Sequence, residues 1–116
     1  MNFPRDKVAL VTGGSSGIGR AAALQFAKQG AKVVVAARRE TAGNRTVEQI
    51  RQLGKEASFV QTDVSQPAEI EALIQKTIAL YGQLDYAFNN AGTEGVFAPM
   101  TQLTEANWDR TITTNL

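Results

Sequence analysis

Short apolar runs alternate with amphipathic stretches along most of the chain. Residues 8–11 and 33–37 are continuously apolar, and weaker runs cover residues 58–62 and 84–88. Uninterrupted apolar runs of this length are typical of strands that are covered on both faces, as in a parallel sheet. The pattern therefore predicts four strands separated by helices.

The stretches after the first two strands predict two helices. Residues 18–28 are rich in alanine, and Gly30 follows where a helix C-cap is expected. A second helix is expected to stop at Gly54. Its apolar face is formed by Val47, Ile50 and Leu53.

The third predicted helix has the clearest period. Its inward face consists of Ile70, Leu73, Ile74, Thr77, Ile78 and Tyr81. Charged and polar residues occupy the other side, so one face is expected in the core and the other in water. Ser65 or Gln66 caps this helix, and Pro67 is tolerated in its first turn.

The resulting element order is β-α-β-α-β-α-β, followed by an irregular segment at residues 93–103 and a last helix capped by Thr104. Parallel strands need crossover helices, and right-handed crossovers place these helices on both faces of one sheet. We therefore expect a three-layer, doubly wound parallel α/β sheet, the Rossmann fold. Its expected strand order is 3-2-1-4, with a switch point between the first and fourth strands.

The composition indicates one soluble globular domain over residues 1–116. The chain carries 12 Lys+Arg and 11 Asp+Glu, and the formal charge of +1 does not favour nucleic-acid or acidic-membrane binding. Because the sequence has no Cys and no His, it excludes disulfides, thiolate chemistry and imidazole ligands for a metal. No apolar run approaches the roughly 20 residues that span a bilayer, and the N-terminus lacks a signal-peptide pattern. We expect a cytoplasmic protein with no metal, membrane or nucleic-acid partner.

A glycine-rich turn lies between the first strand and the first helix. A helix N-terminus exposes unpaired N–H groups and attracts a phosphate. We assign Gly13 to the sharp turn, Gly17 to close backbone approach and Gly19 to tight helix-on-strand packing. The hydroxyls of Ser15 and Ser16 can add donors. An ordinary strand-to-helix turn that happens to contain glycines is the alternative.

Two separated motifs resemble those of the short-chain dehydrogenase/reductase family. The first is T-G-x-x-x-G-I-G at residues 12–19, whose spacing differs from the general fingerprint G-x-G-x-x-G. The second is N-N-A-G at residues 89–92, after the fourth strand. The resemblance covers residues 7–116 and implies an oxidoreductase that transfers a hydride between a nicotinamide dinucleotide and a small carbonyl or alcohol substrate.

The same resemblance implies which residues contact the cofactor. Asp63 would hydrogen-bond the adenine amino group and Val64 would pack on the ring, although Asp63 is also interpreted as a cap for the helix that follows. Ile18 would line the cofactor pocket as well as the core, and Asn89 is interpreted as an amide that fastens the sheet. The remaining implied contacts are Thr12, Gly13, Ser15, Ser16, Gly17, Gly19, Asn90, Ala91 and Gly92.

The end of the second strand bears on the choice between NAD and NADP. An NAD site usually has a carboxylate there, which accepts hydrogen bonds from the ribose 2′-OH. This chain has Ala37 followed by Arg38 and Arg39, and a guanidinium binds a 2′-phosphate bidentately. We predict NADP, with Arg38 as the main ligand assisted by Ser15 or Arg39. NAD stays possible if Glu40 reaches the ribose, or if the arginines are only solvated charges.

Only part of the family's catalytic set is expected in this chain. Asn115 matches the family's Asn that supports a proton-relay water. The family also needs a Ser and a Tyr with Lys four residues later, yet neither Tyr81 nor Tyr86 is followed by that Lys, and no Ser occurs after Ser65. We interpret both tyrosines as packing residues. The expected assignment is the N-terminal, cofactor-binding half of a truncated enzyme, inactive alone.

Two other functions stay open. The chain could be a non-catalytic dinucleotide-binding module, or a half-fold that self-associates to cover an open edge of the fourth strand. A homo-oligomer is expected in either the enzyme or the half-fold. Residues 93–100 could contact substrate or simply connect two elements.

Overall fold

The computed structural model describes residues 7–13 and 17–89, together with the backbone of residues 96–99. Strands and helices alternate as the apolar pattern predicts. The elements are β1 (Val8–Thr12), α1 (Gly17–Lys28), β2 (Lys32–Ala37), α2 (Glu40–Gln52), β3 (Ala57–Gln61), α3 (Pro67–Tyr81), β4 (Tyr86–Asn89) and β5 (Val96–Pro99). No helix within the described residues is both long and apolar enough to cross a membrane.

The strands form one sheet in the order β3-β2-β1-β4-β5. β1 pairs in parallel with β2 and with β4, and β2 pairs in parallel with β3. The predicted doubly wound parallel sheet and its 3-2-1-4 order are therefore confirmed. Because the order reverses between β1 and β4, the chain has a switch point there.

The segment after β4 is not irregular throughout, and this part of the prediction was wrong. β5 pairs antiparallel with β4, in a register that sets Phe88 opposite Phe97 and Asn89 opposite Val96. Without a partner, the edge of β4 would leave backbone N–H and C=O groups unpaired. Because β4 ends at Asn89 and β5 begins at Val96, the short stretch between them is long enough for an antiparallel pairing. The open β4 edge that we expected is thus covered by β5. The predicted helix after Thr104 lies outside the described residues.

The sheet has a separate apolar core on each face. Alternate residues of β1 point to opposite sides, so Ala9 and Val11 join one core and Leu10 joins the other. The first core also contains buried residues of α1 and α2, including Ala23, Ala27 and Ile50. In the second core the helical contribution comes from α3, mainly Ile70 and Leu73. Right-handed crossovers account for this division of the helices between the faces.

Leu53 and Ile78, which were predicted on the inward faces of the second and third helices, are exposed. Ile78 is 47% exposed, although Ile70, Leu73 and Thr77 on the same helix are buried and Ile74 and Tyr81 are partly buried. Within the described residues, α3 is the helix that covers this face of the sheet, so the flank at Ile78 has no neighbouring helix there. Leu53 is 45% exposed because α2 ends at Gln52, one residue earlier. Helical period predicted the direction of these side chains but not what covers them.

A carboxylate joins the starts of β1 and β4. Asp85 Oδ2 accepts a hydrogen bond from the Val8 N–H at 2.9 Å, and the Asp85 N–H donates to the Val8 carbonyl oxygen at 3.0 Å. Asp85 also accepts from Gln83 Nε2 at 2.8 Å and lies 3.9 Å from Lys7 Nζ. The side chain therefore sets the register of the two strands that border the switch point.

Candidate functional site

The carboxyl ends of the parallel strands form one edge of the sheet, where doubly wound proteins bind ligands. Two backbone hydrogen bonds extend the strand pairing just beyond the strands. Gly13 N–H donates to the Ala36 carbonyl oxygen, and Thr62 N–H donates to the Ala37 carbonyl oxygen, both at 2.9 Å. These contacts fix the backbone of three neighbouring strand ends, and the side chains that follow them share this edge.

Thr12 and Asn89 join the strand ends across the switch point. Both residues are buried, and Thr12 Oγ1 donates to Asn89 Oδ1 at 2.8 Å. The expected role of Asn89 in fastening the sheet is therefore seen directly. The same bond occupies the Thr12 hydroxyl, so its predicted contact with a cofactor stays a prediction, and the geometry gives Thr12 a positioning role between β1 and β4.

The start of α1 can accommodate an anion. Gly13 and Gly17 have φ values of +68° and +55°, in the left-handed region that glycine adopts without strain. A Cβ added at Gly17 would meet no atom within 4 Å, so the space beside this residue, where the helix begins, is open. The N–H groups in the first turn of a helix have no intrahelical partner. Gly19 is buried, in line with its predicted packing role. Ser15 and Ser16 lie outside the described residues.

Ile18 corrects one of the predictions. Its side chain is 67% exposed, so it does not belong to the core. It occupies the second position of α1, whose first turn carries no acidic residue. Ile18 is therefore an exposed apolar side chain at the start of α1. A planar or apolar part of a ligand could contact it there.

Arg38 and Arg39 follow the end of β2 and are exposed. The Arg38 carbonyl oxygen accepts from Gln61 Nε2 at 3.1 Å, which ties this segment to the end of β3. Arg39 is the N-cap residue of α2, and its carbonyl oxygen accepts from the Gly43 N–H at 3.0 Å. The backbone of both arginines is thus held in place, while both residues are exposed.

Asp63 organises the turn after β3. Its Oδ1 atom accepts hydrogen bonds from Ser65 Oγ at 2.7 Å and from Ser65 N–H at 3.0 Å, and these bonds lower the pKa of the Asp63 carboxyl below its usual 3.8. The positive charge of Arg38 lowers this pKa further, so the carboxylate is ionised at neutral pH. The prediction that Asp63 caps the following helix was wrong, because its carboxylate bonds Ser65 within the preceding turn. Gln66, one of the two predicted N-cap residues, occupies the N-cap position but makes no side-chain cap bond.

Glu69 is a contributor that the sequence reasoning missed. Its Oε1 atom accepts from the Asp63 N–H at 2.8 Å, which locks the turn from the other side. A carboxylate in the first turn of a helix that can reach back to the preceding turn is a recognisable capping signal. Val64, in the same turn, is partly buried against the second core.

Several predicted site residues cannot be placed relative to this edge. Asn90, Ala91, Gly92 and Asn115 lie outside the described residues. Tyr81 and Tyr86 are half-buried packing residues as predicted, and Tyr81 Oη lies 2.8 Å from Ser58 Oγ. Among the described residues no group of three or more acidic side chains forms a metal site.

Sequence comparison finds relatives among oxidoreductases. A short chain dehydrogenase/reductase of Aspergillus oryzae is 43% identical over 111 residues, which are 95% of this chain and 42% of that protein. A 3beta-hydroxysteroid dehydrogenase of Mediterraneibacter gnavus is 40% identical over 111 residues, which are 96% of this chain and 40% of that protein. The chain thus spans less than half the length of these curated relatives.

Solved structures share the fold. A short chain dehydrogenase from Mycobacterium smegmatis superposes with a TM-score of 0.74 at 32% identity, over 97% of this chain and 48% of that one. A short chain dehydrogenase/reductase from Burkholderia phymatum, solved in complex with NAD, gives a TM-score of 0.71 at 39% identity, over 75% of this chain and 31% of that one. The family model for short chain dehydrogenases matches residues 7–116. The chain therefore belongs to the short chain dehydrogenase family.

Proposed function

We propose that this chain supplies the cofactor-binding half of an NADP-dependent oxidoreductase. The reaction moves a hydride between the nicotinamide and the carbon of a small carbonyl or alcohol substrate. The observation that carries the choice of NADP is the exposed pair Arg38 and Arg39 at the end of β2, next to the buried Ala37. A carboxylate at this edge would repel a 2′-phosphate, whereas a guanidinium binds it.

The start of α1 is the proposed pyrophosphate site. Gly17 combines a left-handed backbone with open space where a Cβ would lie, and the helix begins at this residue. A helix N-terminus favours negative charge through its free N–H groups and its dipole. Gly13, Ser15 and Ser16 complete the proposed cradle, and Ile18 contacts the cofactor beside it. The NAD complex of the Burkholderia relative supports a nicotinamide dinucleotide as the ligand.

The remaining cofactor contacts belong to the other strand ends. We propose that Asp63 accepts a hydrogen bond from the adenine amino group through Oδ2, since Oδ1 is already bonded to Ser65. Val64 packs on the ring, Asn90, Ala91 and Gly92 contact the adenosine ribose, and Asn115 supports a proton-relay water. Thr12 and Gly19 act by positioning the backbone.

Binding of the two cofactors distinguishes NADP from NAD. We expect the protein to bind NADPH more tightly than NADH, and we expect Arg38→Ala to weaken NADPH roughly tenfold to a hundredfold, as for loss of a charge-assisted bond. NADH binding should change little. Arg45→Ala is the matched control, because Arg45 is an exposed arginine on the same helix as Glu40 but is not in the proposed site.

Two results would contradict the NADP assignment. One is tighter binding of NADH by the unmodified protein, with that preference lost in Glu40→Gln, which would make Glu40 the ribose ligand. The other is an equal effect of Arg38→Ala on both dinucleotides, since only NADPH carries the 2′-phosphate. Isothermal titration calorimetry at fixed salt measures all of these affinities on one scale.

A non-catalytic dinucleotide-binding module is the second candidate. The supporting observation is that both tyrosines of the chain, Tyr81 and Tyr86, pack against the apolar cores. Under both proposals this chain alone binds cofactor without turnover. Robust NADPH-dependent carbonyl reduction by the purified 116-residue chain would overturn both, whereas activity restored by a C-terminal segment would favour the enzyme half.

A further inference from the structure

β3 forms the outer edge of the sheet, on the side opposite β5. Two hydrogen bonds bracket its pairing with β2, from Val33 N–H to the Glu56 carbonyl oxygen at 3.1 Å and from Thr62 N–H to the Ala37 carbonyl oxygen at 2.9 Å. In a parallel ladder, every second residue directs its N–H and C=O groups toward the same neighbouring strand. The residues whose N–H and C=O groups point away from β2 are therefore Ala57, Phe59 and Gln61.

A groove runs along this outer edge. Two cavities of about 570 and about 530 Å³ lie end to end beside β3, and Leu80 lines both of them. Leu80 is 51% exposed, and Phe59 and Ala79 continue the apolar lining near the middle. A strand edge with an apolar groove alongside has the features that recruit another strand.

The charges at the two ends of the groove are complementary under a twofold rotation. Lys55 and Glu56 lie at the Ala57 end together with Arg51, whereas Glu40 and Lys76 lie at the Gln61 end. An antiparallel copy centred on Phe59 would set Glu40 against Lys55 of the second copy, and Lys76 against its Glu56. A parallel copy would instead oppose like charges, which is unfavourable. The symmetric, self-complementary arrangement is typical of a twofold dimer.

Arg51 closes part of this edge in the single chain. Its Nε and Nη2 atoms donate to the Ala57 carbonyl oxygen at 3.3 and 3.0 Å. In the antiparallel arrangement, that carbonyl would accept from the Gln61 N–H of the second copy, so the guanidinium occupies a group that pairing requires. Because the twofold axis repeats the contact, Arg51 blocks both ends of the joint ladder.

We propose that the outer edge of β3 is a latent pairing surface for a second copy of this chain, and that Arg51 keeps it closed. The pairing would join two sheets edge to edge through Ala57, Phe59 and Gln61. This surface lies at the opposite side of the sheet from β4.

The test compares dimer dissociation constants of the whole chain by analytical ultracentrifugation. Arg51→Leu should dimerise about tenfold more tightly than the unmodified chain, as expected for removal of a charged hydrogen bond that competes with pairing. Arg45→Leu, which removes an exposed arginine elsewhere on α2, should leave the constant unchanged. Adding Gln61→Pro to Arg51→Leu should abolish the gain, because proline deletes an outward N–H yet is tolerated on a strand edge.

Hydrogen exchange gives a second readout on the same samples. The Phe59 amide should exchange more slowly as the concentration of Arg51→Leu rises, and should be insensitive to concentration in Arg45→Leu. Should Arg51→Leu fold poorly by circular dichroism, Arg51→Lys keeps the charge and the stem without the two-nitrogen contact, and should strengthen dimerisation in the same direction. An unchanged dimer constant in the folded variant, or association that survives Gln61→Pro, overturns the proposal.

Discussion

At the scale of single residues, Gly43 lies in close contact with the ring of Phe59. A Cβ placed on Gly43 would overlap the ring of Phe59, whose side chain packs against the first core. Gly43 lies within α2, where glycine is otherwise unfavourable by about 1 kcal/mol relative to alanine. A residue with a Cβ at this position would therefore have to displace the Phe59 ring.

Gly43→Ala is expected to destabilise the protein despite its better helix propensity. Displacing the ring should cost about 1–3 kcal/mol, which exceeds the roughly 1 kcal/mol gained from propensity. Urea unfolding of Gly43→Ala, Phe59→Leu and the double variant measures the coupling between the two sites. A Gly43→Ala substitution that costs the same in both backgrounds would show that the ring is not the obstacle.

The phenol of Tyr81 predicts a dependence of stability on alkaline pH. Partial burial raises the pKa of Tyr81 above its usual 10.0, and the negative charge of Glu56 adds to the shift, whereas the Ser58 bond and Arg51 oppose it. A raised pKa in the folded state means that the unfolded chain ionises first. The contribution of the neutral Tyr81 phenol to folding stability is therefore present below about pH 10, and it is lost as pH rises through the pKa of Tyr81 in the folded state.

Tyr81→Phe isolates this contribution. At neutral pH we expect the variant to be less stable by about 1 kcal/mol, because it loses the hydrogen bond with Ser58. Above pH 10 the difference should shrink, since only the unmodified protein has a phenol to ionise. Denaturant titrations from pH 8 to 11 measure the gap, and a gap that stays constant would contradict the assigned shift.

Single-residue roles were only partly predictable from sequence. Gly13 was identifiable because a sharp turn between a strand and a helix favours glycine, and its φ of +68° lies in the left-handed region. The contacts of Arg51 with Ala57 and of Glu69 with Asp63 depend on side-chain rotamers that no periodicity encodes. The exposure of Ile18 shows the same limit, because an apolar residue at a helix start can serve the core or a ligand equally well.

At the scale of elements, β1 and β4 depend on Asp85 for their alignment. The carboxylate accepts from the Val8 N–H, whereas its contact with Lys7 is a longer ion pair between partly exposed groups. A hydrogen bond to a part-buried backbone N–H contributes more than a surface ion pair, which is worth about 0–1 kcal/mol. Most of the effect of Asp85 should therefore come from the backbone contact.

Asp85→Ala should lower the free energy of unfolding by about 1–3 kcal/mol, whereas Lys7→Ala should change it by less than about 1 kcal/mol. Asp85→Asn, which keeps an acceptor oxygen, should fall between them. Thermal or urea unfolding of the three variants gives the ranking, with Glu71→Ala as a control because Glu71 is exposed on α3. Equal losses in Asp85→Ala and Lys7→Ala would make the ion pair the dominant contact.

The elements themselves were predictable to within one or two residues at most ends. Apolar runs predict strands, and helical spacing identifies the inward faces, because the residues that become buried on folding are the apolar ones. Ile78 and Leu53 depart from the prediction since their exposure depends on the neighbours of each helix. The strand at residues 96–99 was missed because it is stabilised by backbone hydrogen bonds with β4. Backbone pairing does not require a particular pattern of apolar and polar side chains.

At the scale of the whole molecule, the two edges of the sheet differ in how their backbone groups are satisfied. On the β4 side, Asp85 N–H faces β1, so alternation directs the Phe88 N–H toward β5. On the β3 side, the Phe59 N–H points away from the sheet. Phe88 and Phe59 are both half-buried. The Phe88 amide therefore lies at the sheet edge that β5 covers, and the Phe59 amide lies at the opposite edge, formed by β3.

Amide hydrogen exchange should separate these edges. The Phe88 amide is expected to exchange at least tenfold more slowly than the Phe59 amide in the monomer, since among the described residues a second neighbouring strand pairs with Phe88 but not with Phe59. NMR-detected exchange at low protein concentration measures both in one sample. Similar rates at the two positions would indicate that β5 does not hold its place beside β4.

The backbone contacts of Gly13 with Ala36 and of Thr62 with Ala37 bear on the thermodynamics of ligand capture. They form when the chain folds, so the conformational entropy of these residues is already lost before any ligand arrives. A molecule that binds at this edge loses its own translational freedom and restricts exposed side chains such as Arg38, but it does not have to order these strand ends. Part of the chain's folding free energy is in this way converted into binding affinity.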